Sequence, residues 1–401
     1  MSLHLPDSSR ALGAMAKVLF LAVALTGCGG GGSTATSTSA KTSFAAGRIT
    51  GFGSVIVNGT RFDDSTATVA NDDDEAQTSS DLKLGMMAEV EAGEITSDTT
   101  GSHGEAKAIH FRSAIVGPVD SIATDGKSLV VLGQTVDVTA TTVFDDRLTR
   151  GLGSITAGDV VEVFAMLDAT TGHYTATRIE PKANATLFKL RGVVGSLDTM
   201  AHTFKIGTET ISYGGLAADQ VPADLANGLL VRVKLQMTQV SGAWVATKLK
   251  SAVRHMDDDD EAELKGLITS FTSTTQFSVD GIAVDATNAK FPDGTTGIVL
   301  GAQVEVQGAS SNGVIVATKV SIETQEQDKL AGFELHGAIT TLDTTVKTFV
   351  LRGVTVSYGG TAVVYVGGME SDLAVGRKVE VKGTLSIDGT KLDATTIKFE
   401  S

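Results

Sequence analysis

Carboxylate side chains are the residues of this sequence most suited to chemistry. They occur in runs: Asp72-Asp73-Asp74-Glu75, Asp145-Asp146, and Asp257, Asp258, Asp259 and Asp260 followed by Glu261. Hard oxygen ligands suit calcium, which takes six to eight of them. Adjacent carboxylates repel, however, and the alternating D-x-D-x-D-G spacing of a calcium loop is absent. The runs are therefore expected to be solvated loops or linkers, with Asp257 to Asp260 as candidate weak metal ligands. His255 adjoins that run, but one imidazole makes a poor transition-metal site. The other histidines of the body, His103, His110, His173, His202 and His336, fall at unrelated spacings. Of these, His103 and His110 flank an expected hairpin across which two imidazoles could meet, but the leading expectation is that they are surface or hairpin residues. Trp244 precedes a short alternating run; packing in a barrel mouth or a unit interface is the leading expectation, and a cap for a ligand groove is the alternative. No G-x-S-x-G, H-E-x-x-H, phosphate-loop or dinucleotide motif is present, so neither catalysis nor a cofactor is expected.

The single cysteine has a definite setting. Arg10 and Lys17 precede an apolar run, Val18 to Leu25, that is too short to span a bilayer but suits a signal-peptide core. The run ends in Leu25-Thr26-Gly27-Cys28, which resembles the bacterial lipobox. That resemblance implies cleavage after residue 27 and acylation of Cys28. Each buried methylene adds roughly 0.8 kcal/mol, so several chains on one residue suffice as an anchor. Gly29 follows the cysteine where an aspartate would favour inner-membrane retention, which directs the expectation to the outer membrane. Residues 28–43, rich in Gly, Ser and Thr, read as a flexible tether.

The elements that must position any site come from repetition. Gly47, Gly117, Gly192, Gly266 and Gly337 each open an alternating stretch. A second glycine (Gly85, Gly158, Gly228, Gly301, Gly376) precedes another, such as Val379-Glu380-Val381 or Val231-Arg232-Val233. A closing A-T-x-[ILV] run ends four units, and Ala106-Lys107-Ala108-Ile109 ends the first. Three landmarks in one order, five times, define a tandem array. Period-two alternation marks half-buried strands. Asn58-Gly59, Asp125-Gly126, Asp280-Gly281, Asn312-Gly313 and Asp388-Gly389 are hairpin turns. A D-L-x-x-G segment before the fourth strand suits one helical turn, and no sustained helical period appears.

Five strands in roughly 70 residues suit a small five-stranded barrel of OB type, and the fold class is all-β. The expected divisions are a signal peptide at 1–27, a tether at 28–43, and barrels at 44–113, 114–182, 186–256, 264–324 and 330–401. An acidic linker at 257–263 is expected between the third and fourth barrels.

The pattern G-x-[IV]-x-x-[FIL], x-V-x-G, L-x-x-G-x-x-V-E-V, A-T-x-I resembles the bacterial family called domain of unknown function 5666. The first unit, from Gly47 to Gly59, carries it most fully, and units two, three and five diverge more. The resemblance implies β-barrel modules on exported lipoproteins and no catalytic residues.

Composition bounds the rest. The net charge of −15 opposes binding to nucleic acid. Only 5% of residues are aromatic, which disfavours stacking-based recognition. The expectation is a non-enzymatic, lipid-anchored binding or spacer array of elongated shape. Its partners would be the membrane and an envelope protein or glycan. The alternative is an oligosaccharide- or peptide-binding protein using barrel grooves.

Overall fold

Alternating runs bounded by turn residues become short strands that close on themselves. In the second unit, Ile115–Ile122 pairs antiparallel with Ser128–Val131, which pairs antiparallel with Gln134–Asp137. Gln134–Asp137 then runs parallel to Tyr174–Pro181, which pairs with Val160–Leu167, and that strand returns to Ile115–Ile122. The cyclic order 1-2-3-5-4-1 is the closed order of an OB-type barrel. It recurs in the other four units, with first strands at Ser43–Phe52, Phe188–Val193, Glu261–Ser273 and Phe333–Ala338. A bulge falls at one equivalent place between the fourth and fifth strands of every barrel, at Ala92, Ala165, Leu235, Gly308 and Gly383. Such an extra residue sharpens the bend by which a five-stranded sheet closes. The computed structural model describes residues 41–253, 256–360 and 362–400. Cys28, its lipobox Leu25, Thr26 and Gly27, and His255 lie outside these residues.

Turn chemistry is realised where it was expected. Asn58-Gly59, Asp280-Gly281 and Asn312-Gly313 hold both residues at positive φ, as a type I′ hairpin requires. Single 3₁₀ turns precede the fourth strand at Ser79–Asp81, Gly151–Ser154, Ala218–Gln220 and Glu370–Asp372. In the third unit the turn precedes Asp224-Leu225 rather than containing it. One α-helix, Gln325–Ala331, joins the fourth and fifth barrels, capped by Thr324 accepting from the Gln327 amide.

The elongated array expected from the repeat count is corrected: the described residues form one compact body. First strands weld the barrels together. Ser43–Phe52 runs parallel to Glu261–Ser273, Ser43 opposite Glu261 and Ala46 opposite Leu264. Its far end runs parallel to Phe333–Ala338, Gly51 opposite Glu334. Ile115–Ile122 likewise pairs with Phe188–Val193. Cores follow the sheets. Phe44 and Ala46 of the first barrel pack in the fourth barrel's core beside Leu264 and Val306, and the first and fifth barrels share one continuous core. Met87, Met166 and Leu267 meet where the first, second and fourth barrels touch.

Three boundaries move. Ser43 belongs to the first strand, and residues 261–263 begin the fourth barrel's first strand rather than a linker. Met256 packs in the fourth barrel's core, not the third's. Each joins its new element because a barrel edge supplies it with hydrogen bonds or apolar contacts.

Candidate functional site between the barrels

Charged residues on the outer faces of the strands meet where barrels touch. The first acidic run is corrected from a solvated loop to an ionic plug. It lies on a hairpin, Thr68–Asn71 paired with Ala76–Gln77, that projects from the first barrel. Asp72 accepts from Lys189 at 3.2 Å and from Arg232 at 3.1 Å. Asp73 accepts from Lys234 at 2.6 Å and Lys248 at 2.8 Å. All four cations belong to the third barrel. Although burial alone would raise it, these partners hold the Asp73 carboxyl well below the usual carboxylate range. The signal lay in the fourth strands: the outward residue is Glu89, Glu162, Glu305 and Glu380 in four units but Arg232 in the third.

A second junction is centred on Asp280, in the fourth barrel's Asp-Gly turn. Its carboxylate accepts from Arg112 of the first barrel and, at 2.8 Å, from Arg191 of the third. Asp280 is 5% exposed and Arg191 4%. Burial, then the like charge of Arg112, pulls the Arg191 pKa down, yet a guanidinium stays protonated under these conditions.

A cavity of about 320 Å³ opens among the first, fourth and fifth barrels, with Met166 of the second at its wall. Four cations line it (Arg48, Arg61, Lys265, Lys382) against three carboxyls (Glu305, Asp328, Glu334). Alternation places them: Arg48 and Thr50 point out from the first strand while Ile49 is buried. Lys265 pairs with Asp328 and with Glu323, both at 2.9 Å. Arg61 pairs with Glu334, as does Lys382 at 3.3 Å. Arg48 stacks over the Phe333 ring, 5.3 Å from its centroid, and donates weakly to the Thr141 carbonyl at 3.5 Å. Beneath Lys265, burial and then the charge of Glu305 push the Glu263 carboxyl up to about 7.

Beside this cavity, Glu334, His336 and Glu380 bring their ligand atoms together, the one such set of three among the described residues. His336 Nε2 meets Glu334 at 2.5 Å and Nδ1 meets Glu400 at 3.0 Å. Against burial, these carboxylates raise the His336 pKa, and the His336 and Arg61 hydrogen bonds hold Glu334 down to about 2. Lys398 also binds Glu380 at 3.0 Å. Three fixed cations therefore occupy the oxygens a metal would need, and the set is an ion network.

The sequence-derived candidates are placed elsewhere. Asp257 to Asp260 do not converge. Asp258 accepts from the Asn312 amide, the Asp259 backbone pairs with Ser310, and Asp260 accepts from the Thr42 amide at 3.2 Å. Among the described residues the run does not bring three ligand atoms together. His103 and His110 sit seven residues apart on one strand, Gly101–Arg112, and do not face each other across a hairpin. His103 contacts Thr100 at 2.8 Å, and His173 contacts Asp137 at 3.1 Å. Trp244 donates to Glu209 at 2.7 Å and packs edge-on to Phe188 at 5.6 Å. It lines none of the cavities described here.

Comparison with family models gives three matches to one family, at residues 116–180, 265–321 and 336–398, described as Domain of unknown function (DUF5666). Three of the five barrels match DUF5666. They are the second, fourth and fifth, which corrects the expectation that the first unit carries the DUF5666 pattern most fully. The unmatched first and third are the two joined by the Asp72-Asp73 plug, where one gains a hairpin and the other replaces the strand glutamate with Arg232. Comparison with curated proteins finds no match. A solved structure described as "drosophila Unr CSD456" is similar at 14% identity over 54% of this chain and 98% of that chain, with a TM-score of 0.14.

Proposed function

We propose that the protein is an exported, lipid-anchored, non-enzymatic binding protein of the bacterial envelope, held at the outer membrane through Cys28. Its five barrels act as one receptor body rather than as a string of spacers. The observation that carries this reading is the cavity shared by several barrels, whose walls are fixed by ion pairs from different units. A pre-formed concave site with a few converging polar groups is the usual form of a ligand pocket. The carboxyls Asp328 and Glu334 are engaged by Lys265, Arg61 and Lys382, so they hold shape instead of moving protons. The apolar run ending in Leu25-Thr26-Gly27-Cys28 supports export and anchoring. The occupant is a ligand of the envelope, an oligosaccharide, a sugar or a peptide fragment.

Two measurements test it together. A Cys28→Ser variant should leave the membrane fraction, and cell-wall saccharides and peptides should include one that raises the melting temperature of the full chain. Retention of the variant in membranes defeats the anchor. A flat melting temperature across all ligands defeats the receptor.

A further inference from the structure

Arg48 is the anomaly of the shared cavity. An arginine carries five N–H donors in a rigid fork. Here one donor reaches the Thr141 carbonyl at 3.5 Å, and among the described residues no carboxylate lies within salt-bridge distance of the guanidinium. The other three cations of the wall each have a carboxylate partner. A guanidinium set over an aromatic ring at the wall of a cavity, with no carboxylate at salt-bridge distance, suits a planar anion.

We infer that the cavity binds a small hydroxylated monocarboxylate, a sugar acid, with Arg48 as its carboxylate receptor. This rests on the receptor reading above and names its ligand class. Charge count selects a monoanion. Four cations stand against three carboxyls in the wall, Asp328 acting on Arg48 from beyond salt-bridge distance, so the lining carries one net positive charge, which a monoanion balances and a phosphate dianion exceeds. Thr50, Asn58 and Gln303 add hydroxyl and amide groups to the lining, which suits a polyol rather than a fatty acid. The volume, about 320 Å³, lies at the small end for ligand pockets, which excludes a long oligosaccharide.

Calorimetric titration of the full chain with glucuronate, glucose and inorganic phosphate tests this. Glucuronate should give saturable heat, glucose none, and phosphate binding at least about tenfold weaker than glucuronate. Arg48→Gln should weaken glucuronate by at least about tenfold with an unchanged melting temperature. Should that variant not fold, arginine side-chain 15N resonances of the unmodified protein give the same reading, since one guanidinium must shift with glucuronate. Absence of glucuronate heat, heat that survives Arg48→Gln, phosphate binding as tight as glucuronate, or unmoved arginine resonances each overturn the inference. If another envelope ligand still raises the melting temperature, the receptor reading stands and only the ligand class falls.

Discussion

Arg191 grips Asp280 twice, donating from Nη1 to the carboxylate at 2.8 Å and from Nη2 to the Asp280 backbone carbonyl at 3.0 Å. One side chain of the third barrel thus fixes both the charge and the backbone of a turn in the fourth. Arg112 binds the same carboxylate from the first barrel, so three units depend on one buried aspartate.

Asp280→Asn keeps a residue that tolerates the positive φ of this turn but removes the ion-pair partner of buried Arg191 and leaves Arg112 with Glu89 alone, at 3.5 Å. Breaking a buried pair from one side costs roughly 3–5 kcal/mol. Urea denaturation should show a loss of that order at pH 7, and a loss below about 1 kcal/mol would mean the junction is hydrated.

Asp73 gives a second, acid-side weakness. Its folded pKa lies below its unfolded value, so the stability it contributes is present above the unfolded pKa near 3.8 and is lost as pH falls through the folded pKa. Asp73→Asn should lower stability at pH 7 by roughly 3 kcal/mol. The gap from wild type should narrow as acid protonates Asp73 in the wild type. Melting curves at several pH values check this, and a gap independent of pH would assign the loss to packing.

Glu263 has the opposite sign. Its folded pKa, pushed up to about 7, exceeds the unfolded value near 4.5, so the folded state binds the extra proton. Stability therefore falls as pH rises from about 4.5 to 7. Glu263→Gln should match wild type near pH 4 and exceed it by on the order of 1–3 kcal/mol at pH 8. Equal stability at both pH values would show that Glu263 is not protonated in the fold.

Gly51 tests the weld between the first and fifth barrels. A Cβ there would stand 2.3 Å from the Glu334 carbonyl oxygen and 2.6 Å from Ile56, while its φ is ordinary, so the constraint is contact alone. Gly51→Ala must push the two strands apart and should cost about 1–3 kcal/mol. Hydrogen exchange of the Gly51 to Phe52 segment should rise with it; unchanged exchange would place the strain elsewhere.

What was legible in the sequence is what local rules govern. Alternation at Val231-Arg232-Val233, Asn-Gly turns and glycine at strand entries are decided within a few residues, and they yielded five closed barrels. The elongated shape failed because the strands of one barrel reach partners hundreds of residues away, and no local pattern announces that Ser43 lies opposite Glu261. The acidic plug failed for the same reason. Asp72 and Asp73 look self-repelling alone, and their meaning changes only when Arg232 and Lys234 of another unit arrive. Arg48 went unnoticed because it shows itself only as the one cation of the shared cavity's wall without an ion pair.

The parallel pairing of Ser43–Phe52 with Glu261–Ser273 also sets a timetable. Its partners are 218 positions apart. A chain lengthening at about 5–20 residues per second exposes the first strand's open edge for roughly 10–40 seconds before its neighbour exists. Throughout that interval Phe44 and Ala46 await a core that has not been made. A half-finished edge like this is the kind of strand that pairs wrongly before its partner arrives, even though the finished body conceals it.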